Sequence, residues 1–134
     1  MTETICYPSL NDTIVINKMA AKLTKDYVQP YEFEARKVFD VLEAMKYIGS
    51  NHPDRRTKVV KKAAWLIYMI THRQTFPEAN KRTAWLLARE FIRRNGYSIP
   101  FEDNQMYEMQ QEIGVYHDTY SLFDVEARIN GLMR

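Results

Sequence analysis

Hydrophobic residues recur along the chain at spacings of three and four, which predicts a series of amphipathic helices. A first helix carries the apolar residues of 14–23, and either Asn11 or Asp12 can cap its start. A second helix runs over 30–47, with a proline at its first position and Gly49 as its stop. The chain has no alternating apolar and polar pattern of any length, so the predicted class is all-α.

A third helical region begins at Asp54, and every residue from 63 to 70 within it is apolar or aromatic. A helix that is apolar on all sides is a buried helix. A strand is the alternative for so short a run, but the preceding helical spacing and the Ala-Ala pair favour a helix. Segment 71–80 is too polar in its middle to continue this helix. Asn80 is a good N-cap for a fourth helix, which Gly96 ends.

Two further helices are predicted over 106–115 and 122–133, which makes about six in total. The chain has 134 residues, a length that suits one domain around one core. It contains only 4 Gly and 5 Pro, and such a composition favours long regular elements over many tight turns. We therefore expect residues 1–134 to form a single compact helical bundle.

The net charge limits which kinds of binding partner are expected, and the cysteine content limits which cellular compartment is expected. The formal net charge is +2, too small to predict binding to nucleic acid or to a membrane. One turn is rich in basic residues: Arg55, Arg56, Lys58, Lys61 and Lys62. This basic turn could contact nucleic acid or an acidic partner, although a solvated helix face is the stronger alternative. Cys6 cannot form an internal disulfide, and neither a signal peptide nor a long apolar run is present. We expect a cytosolic protein.

The junction between the third and fourth helices carries the most informative chemistry. Asn80, Lys81 and Arg82 open the fourth helix, whose first turn has unpaired N–H groups and a partial positive charge. Two cations oppose that dipole, an arrangement that phosphate would neutralise; a solvated surface pair is the commoner alternative. The Glu78 carboxylate nearby suggests Mg²⁺ shared with phosphate oxygens, and Phe76 would anchor the loop in the core.

Segment 74–84, Gln-Thr-Phe-Pro-Glu-Ala-Asn-Lys-Arg-Thr-Ala, resembles the core motif of the Fic/Doc (Fido) superfamily. That motif reads His, any residue, Phe, any residue, Asp/Glu/Asn, Gly or Ala, Asn, Gly or Lys, Arg. The Ala-Asn-Lys-Arg-Thr-Ala form, followed by Phe-Ile-Arg-Arg-Asn-Gly at 91–96, is similar to the Doc branch, the death-on-curing toxins. The resemblance is strongest over 63–101 and implies a helical bundle with the motif loop between two central helices.

Members of the superfamily transfer part of a nucleoside triphosphate to a protein hydroxyl. Fic enzymes usually move AMP, whereas Doc phosphorylates a translation elongation factor. The resemblance therefore implies ATP or another nucleoside triphosphate with Mg²⁺, and a protein substrate such as a translation factor. The chain has no Glu-Gly or Glu-Asn pair of the kind found in inhibitory Fic segments, so a separate antitoxin is implied.

The resemblance also assigns roles to the motif residues by position. Phe76 would be the core anchor and Glu78 the Mg²⁺ ligand. The phosphates would be bound by Ala79, Asn80, Lys81 and Arg82.

The chain departs from the motif where the catalytic base is expected, because Gln74 stands in place of the histidine. A Gln amide has no useful basicity near neutral pH, although it can orient a hydroxyl by hydrogen bonding. General base catalysis is worth about 10²–10⁴-fold, so positioning and electrostatics could sustain a weak reaction. His72 could act as the base only if the backbone is irregular, since two residues of helix rotate a side chain by about 200°. A partly buried, hydrogen-bonded histidine is the alternative.

A second departure is Trp85, which stands where Fic-type motifs have another arginine. This weakens the case for AMP transfer more than that for phosphoryl transfer. Three functions remain: a Doc-like transferase that uses Gln74 and Arg82, a catalytically silent Fido-fold module that binds nucleotide or a protein partner, and a basic helical protein that binds nucleic acid through 55–62.

Overall fold

The computed structural model describes residues 4–22, 32–73, 80–100, 108 and 121–134. This part of the chain is all helical and contains no strand, so the predicted fold class is confirmed. The helix predicted over 106–115 lies outside the described residues apart from position 108. The five helices described are α1 Leu10–Lys22, α2 Glu32–Met45, α3 Arg55–Arg73, α4 Asn80–Arg94 and α5 Leu122–Leu132.

Helix α3 is the centre of the bundle and packs against α2, α4 and α5. Its apolar run is buried as predicted, with Ala63, Leu66 and Ile67 fully enclosed. Trp65 is only partly buried, and its indole N–H donates to the carbonyl oxygen of Val41 in α2 at 3.1 Å. None of the helices in the described part of the chain is long and apolar enough to span a bilayer.

The start of α1 differs from the prediction. The Ser9 backbone N–H donates to Asp12 Oδ2 at 3.0 Å, and the Asp12 N–H donates to Ser9 Oγ at 3.0 Å. This reciprocal pair is a capping box, so the cap is Ser9 and not Asn11 or Asp12. Asp12 instead closes the box from the first turn of the helix.

Both ends of α3 can be compared with the prediction. Asp54 caps the helix as expected, because its Oδ2 accepts from the N–H of Thr57 at 3.1 Å. The helix continues to Arg73, three residues into the segment whose polar middle was predicted to end it; residues 74–79 lie outside the described part of the chain. Thr71 is buried there, and no glycine or proline stands in that turn to stop the helix.

The basic turn of α3 is not a solvated face, because its cations hold the ends of other helices. Lys62 is only 1% exposed. Its ammonium donates to the carbonyl oxygens of Met45 (3.1 Å), Lys46 (3.2 Å) and Ile48 (2.8 Å), and to Ser50 Oγ (2.9 Å). Carbonyl groups at a helix C-terminus lack partners within the helix and carry partial negative charge, so this buried cation completes the end of α2.

Two arginines of the same turn donate hydrogen bonds to the carbonyl groups at the C-terminal ends of α4 and α5. Arg55 Nη1 donates to the carbonyl oxygen of Asn95 at 2.7 Å, just past the end of α4. Arg56 Nη2 donates to the carbonyl oxygens of Asn130 at 3.1 Å and Met133 at 2.8 Å, at the end of α5. The N-terminal end of α3 therefore meets the C-terminal ends of three helices.

The last pair in this region joins Lys61 to Glu126 of α5, with Nζ and Oε2 3.1 Å apart. Four of the five basic residues of the turn thus bind carbonyl or carboxylate oxygens of the chain itself: Arg55, Arg56, Lys61 and Lys62. The preferred expectation of a solvated helix face at 55–62 is corrected accordingly.

Candidate functional site

The helix start that was predicted to bind phosphate corresponds to the N-terminus of α4. The helix begins at Asn80, within one residue of the prediction. Lys81 is half-buried and Arg82 is exposed. The remaining predicted site residues lie outside the described part of the chain: Gln74, Phe76, Glu78 and Ala79.

Arg82 makes a specific contact with α1. Its Nη1 donates a long hydrogen bond of 3.4 Å to the carbonyl oxygen of Ala20, which lies in the last turn of that helix. The C-terminal end of a helix carries partial negative charge, so this carbonyl offsets part of the repulsion between Arg82 and the start of α4. The positive charge of Arg82 is therefore partly compensated by a carbonyl group of the chain itself, a contact that was not predicted from the sequence.

The positive charges of the arginines at the C-terminal end of α4 are compensated by carboxylates rather than by a carbonyl group. Arg93 and Arg94 both donate to Glu90, and Arg94 also pairs with Asp12 at 2.9 Å. Hydrogen bonds from Arg93 hold the pKa of Glu90 below its usual value. Among the residues that the structure describes, no carboxylate pairs with Arg82 in this way. Its guanidinium is thus suited to bind an external anion.

The residues that follow Arg82 face the interior. Thr83 and Ala84 are fully buried, and Trp85 is 2% exposed within the core. The position at which Fic-type motifs carry a second arginine is therefore occupied by a buried indole. It offers no cation to a nucleotide.

A buried polar pair joins α1 to the first turn of α4. Asn17 Nδ2 donates to Thr83 Oγ1 at 3.0 Å, and both side chains are buried. Asn17 is not among the predicted site residues, because the prediction for α1 rests on the apolar positions of the helix. The buried face of the helix instead carries Thr13, Asn17 and Ala20, whereas Met19 is exposed. The signal available in the sequence was the spacing of four and three between these small and polar residues.

His72 lies in the last turn of α3 and is exposed. Its ring stacks on Tyr68 one turn earlier, with centroids 5.3 Å apart and an interplanar angle of 17°. The backbone is helical at His72 and at Arg73, so the irregularity that a base at His72 would require is absent from these two positions. The expectation of a partly buried histidine is also corrected.

The site can be compared with the needs of a magnesium nucleotide. Within the described ranges, no group of three or more His, Cys, Asp or Glu residues could hold a metal ion. Mg²⁺ bound with nucleotide usually takes only one or two protein carboxylates, together with phosphate oxygens and water. An exposed arginine at a helix N-terminus fits the phosphate part of such a ligand.

The fold and the start of α4 together define a class of protein. It is all-helical, and the N-terminus of the helix that follows the central buried helix α3 is suited to bind an anion. The chain matches the Fic/DOC family over residues 7–92, well over half of its length. It belongs to that family, so the resemblance of its motif to the superfamily is confirmed. Membership indicates a transferase-type activity in general. None of the curated proteins matches the chain.

Proposed function

We propose that the chain is a Doc-like transferase that moves a phosphoryl group, or a nucleotidyl group, from a nucleoside triphosphate to a protein hydroxyl. The observation that carries the proposal is Arg82. Its side chain is exposed at the start of α4, and a carbonyl rather than a carboxylate accepts its described hydrogen bond. Family membership over 7–92 supports the reaction class.

The phosphates would be bound by the first turn of α4. Arg82 would clasp phosphate oxygens, and the backbone N–H groups of Ala79, Asn80 and Lys81 would complete the anion site. Glu78 would hold Mg²⁺, which when bound neutralises charge on the phosphates. Preorganised charges of this kind supply most of the catalysis in phosphoryl transfer.

Gln74 would orient the attacking hydroxyl without taking its proton. The hydroxyl oxygen forms a bond to the γ-phosphorus while the bond to the leaving nucleoside diphosphate breaks, and the hydroxyl proton passes to solvent. Because general base catalysis contributes about 10²–10⁴-fold, we expect slow turnover. The buried Trp85 favours phosphoryl transfer over AMP transfer, since it leaves no second arginine for the nucleotide.

By resemblance, we expect a cytoplasmic toxin-like protein whose substrate is another protein, such as a translation factor, and which a separate antitoxin restrains. The second candidate is a catalytically silent Fido-fold module that binds nucleotide or a protein partner. Gln74 is the specific observation that favours it, because the family's base is missing. The transferase and a silent module that binds nucleotide would both use Arg82 to bind phosphate.

Label transfer distinguishes the two candidates. The protein and a Gln74→His variant are incubated with Mg²⁺, cell extract and ATP that is labelled on the γ- or the α-phosphate. A γ-labelled protein band with the unaltered chain supports the kinase, and an α-labelled band makes it an AMP transferase. If only the Gln74→His variant transfers label, the unaltered chain has an intact active-site scaffold that lacks the catalytic base. Nucleotide binding without label from either protein favours the silent module.

A further inference from the structure

The contact between α1 and α4 contains a polar pair that is buried. Asn17 is 1% exposed and Thr83 is fully buried, and the amide donates to the hydroxyl oxygen at 3.0 Å. Burying an amide and a hydroxyl is costly unless they are hydrogen-bonded. Such a pair therefore favours one register between two helices over the others, which apolar contacts alone specify less strongly.

This pair lies next to the contact that involves Arg82. Thr83 follows Arg82 in the chain, and Ala20 lies three residues after Asn17, on the same face of α1. Two adjacent residues of α4 are thus hydrogen-bonded to one face of α1. The buried bond sets where the last turn of α1 lies, and that turn supplies the carbonyl oxygen for the exposed guanidinium.

We propose that Asn17 and Thr83 are positioning residues for Arg82. Their bond holds α1 in the register at which the Ala20 carbonyl orients the guanidinium at the start of α4. An arginine side chain loses considerable rotamer entropy when it is fixed by a ligand, so orienting it in advance strengthens anion binding. The inference rests on the proposed binding of nucleotide phosphates by Arg82.

The test compares nucleotide affinities by calorimetry with Mg²⁺-ATP as the probe. Thr83→Val keeps the shape of the side chain and removes the hydroxyl, and we expect it to weaken binding about tenfold. Thr83→Ser keeps the hydroxyl and should restore most of the affinity. In the Arg82→Lys background, which should still bind weakly, Thr83→Val should have a much smaller effect, because the guanidinium that is positioned is already gone.

The matched control is Arg56→Met, which removes contacts to the end of α5. Arg56 is near the opposite end of α3 from the loop, about 25 Å from Arg73 at 1.5 Å per residue. This variant should lower the melting temperature and leave the affinity unchanged, which separates loss of stability from loss of positioning. Should Thr83→Val fail to fold, Asn17→Ala removes the other partner and repeats the measurement.

The outcomes are distinct. Weaker binding by Thr83→Val, with rescue by Thr83→Ser and a much smaller loss in the Arg82→Lys background, supports the inference. Unchanged affinity in Thr83→Val and Asn17→Ala, while Arg82→Ala loses binding, overturns it and leaves the proposed function intact. No binding of Mg²⁺-ATP by the unaltered chain overturns the proposed function, and the inference with it.

Discussion

The ammonium of Lys62 donates a hydrogen bond of 2.8 Å to the carbonyl oxygen of Ile48, across the turn that ends α2. A buried lysine in this position replaces the water that would otherwise solvate the last carbonyls of the helix. The same ammonium lies 5.3 Å from the ring centroid of Tyr7, so its remaining face is covered by an aromatic surface. The cation is thus part of the core rather than of the surface.

Replacing Lys62 with methionine should destabilise the fold by about 2–4 kcal/mol, because the carbonyl oxygens at the end of α2 lose a charged donor and that of Ile48 keeps no other described one. The measurement is the urea denaturation midpoint at unchanged slope. Lys58→Met makes the same substitution one turn earlier on α3 and should stay within about 0.5 kcal/mol of the unaltered chain. Equal losses in both variants would contradict the role assigned to the Lys62 contacts.

Local patterns predict most helix positions in this chain, because capping residues and apolar spacing act over a few residues. Asp54, Gly49 and Gly96 mark helix boundaries as predicted, and both glycines adopt positive φ angles, 69° and 92°. The run at 63–70 similarly identifies the buried helix. The motif at the start of α4 could be found because its residues are consecutive.

Contacts between distant segments could not be predicted in the same way. The basic turn at 55–62 looks like a solvated face until the ends of α2, α4 and α5 are known. Asn17 looks like a polar interruption of α1 until Thr83 is placed beside it. In both cases the partner is a backbone or hydroxyl group whose position depends on the whole bundle, and no local spacing encodes it.

Asn95 joins three segments, and its loss should be costly. The side chain accepts from the Cys6 N–H at 2.8 Å and donates to the carbonyl oxygens of Cys6 at 2.9 Å and Phe91 at 2.8 Å. It is 4% exposed, so Asn95→Ala removes both hydrogen bonds that hold the part-buried N–H and carbonyl groups of Cys6, and we expect a loss of about 1–3 kcal/mol.

Denaturation of Asn95→Ala beside Ser98→Ala, an exposed position a few residues on, measures this effect. Ser98 makes its described hydrogen bonds through its backbone, so its truncation should be nearly neutral. Because Asn95 pins the segment around Cys6, limited proteolysis should also cleave that segment faster in Asn95→Ala. Equal cleavage rates would argue against this anchoring.

Acid stability should depend on Asp12. The hydrogen bond from the Ser9 backbone N–H, with a further one from Arg94, lowers its pKa from 3.8 to about 2. A carboxyl group whose pKa is lower in the folded state stabilises the fold above its unfolded pKa, and loses that contribution as the pH falls towards the folded pKa. The melting temperatures of Asp12→Asn and the unaltered chain should therefore differ at pH 5 and converge near pH 2. A gap that stays constant over this range would exclude the mechanism.

Arg82→Ala should abolish nucleotide binding and leave the fold intact. The side chain is exposed, and the single hydrogen bond described for it is a long one to a backbone carbonyl, so its removal should change the melting temperature little. Arg89→Ala truncates another exposed arginine of α4, seven residues further from the helix start, and should keep full affinity. Arg82→Lys should bind more weakly than the unaltered chain, because an ammonium cannot clasp phosphate oxygens in two places. Calorimetry with Mg²⁺-ATP measures all three, and unchanged affinity in Arg82→Ala would refute the assignment of the phosphate site to the start of α4.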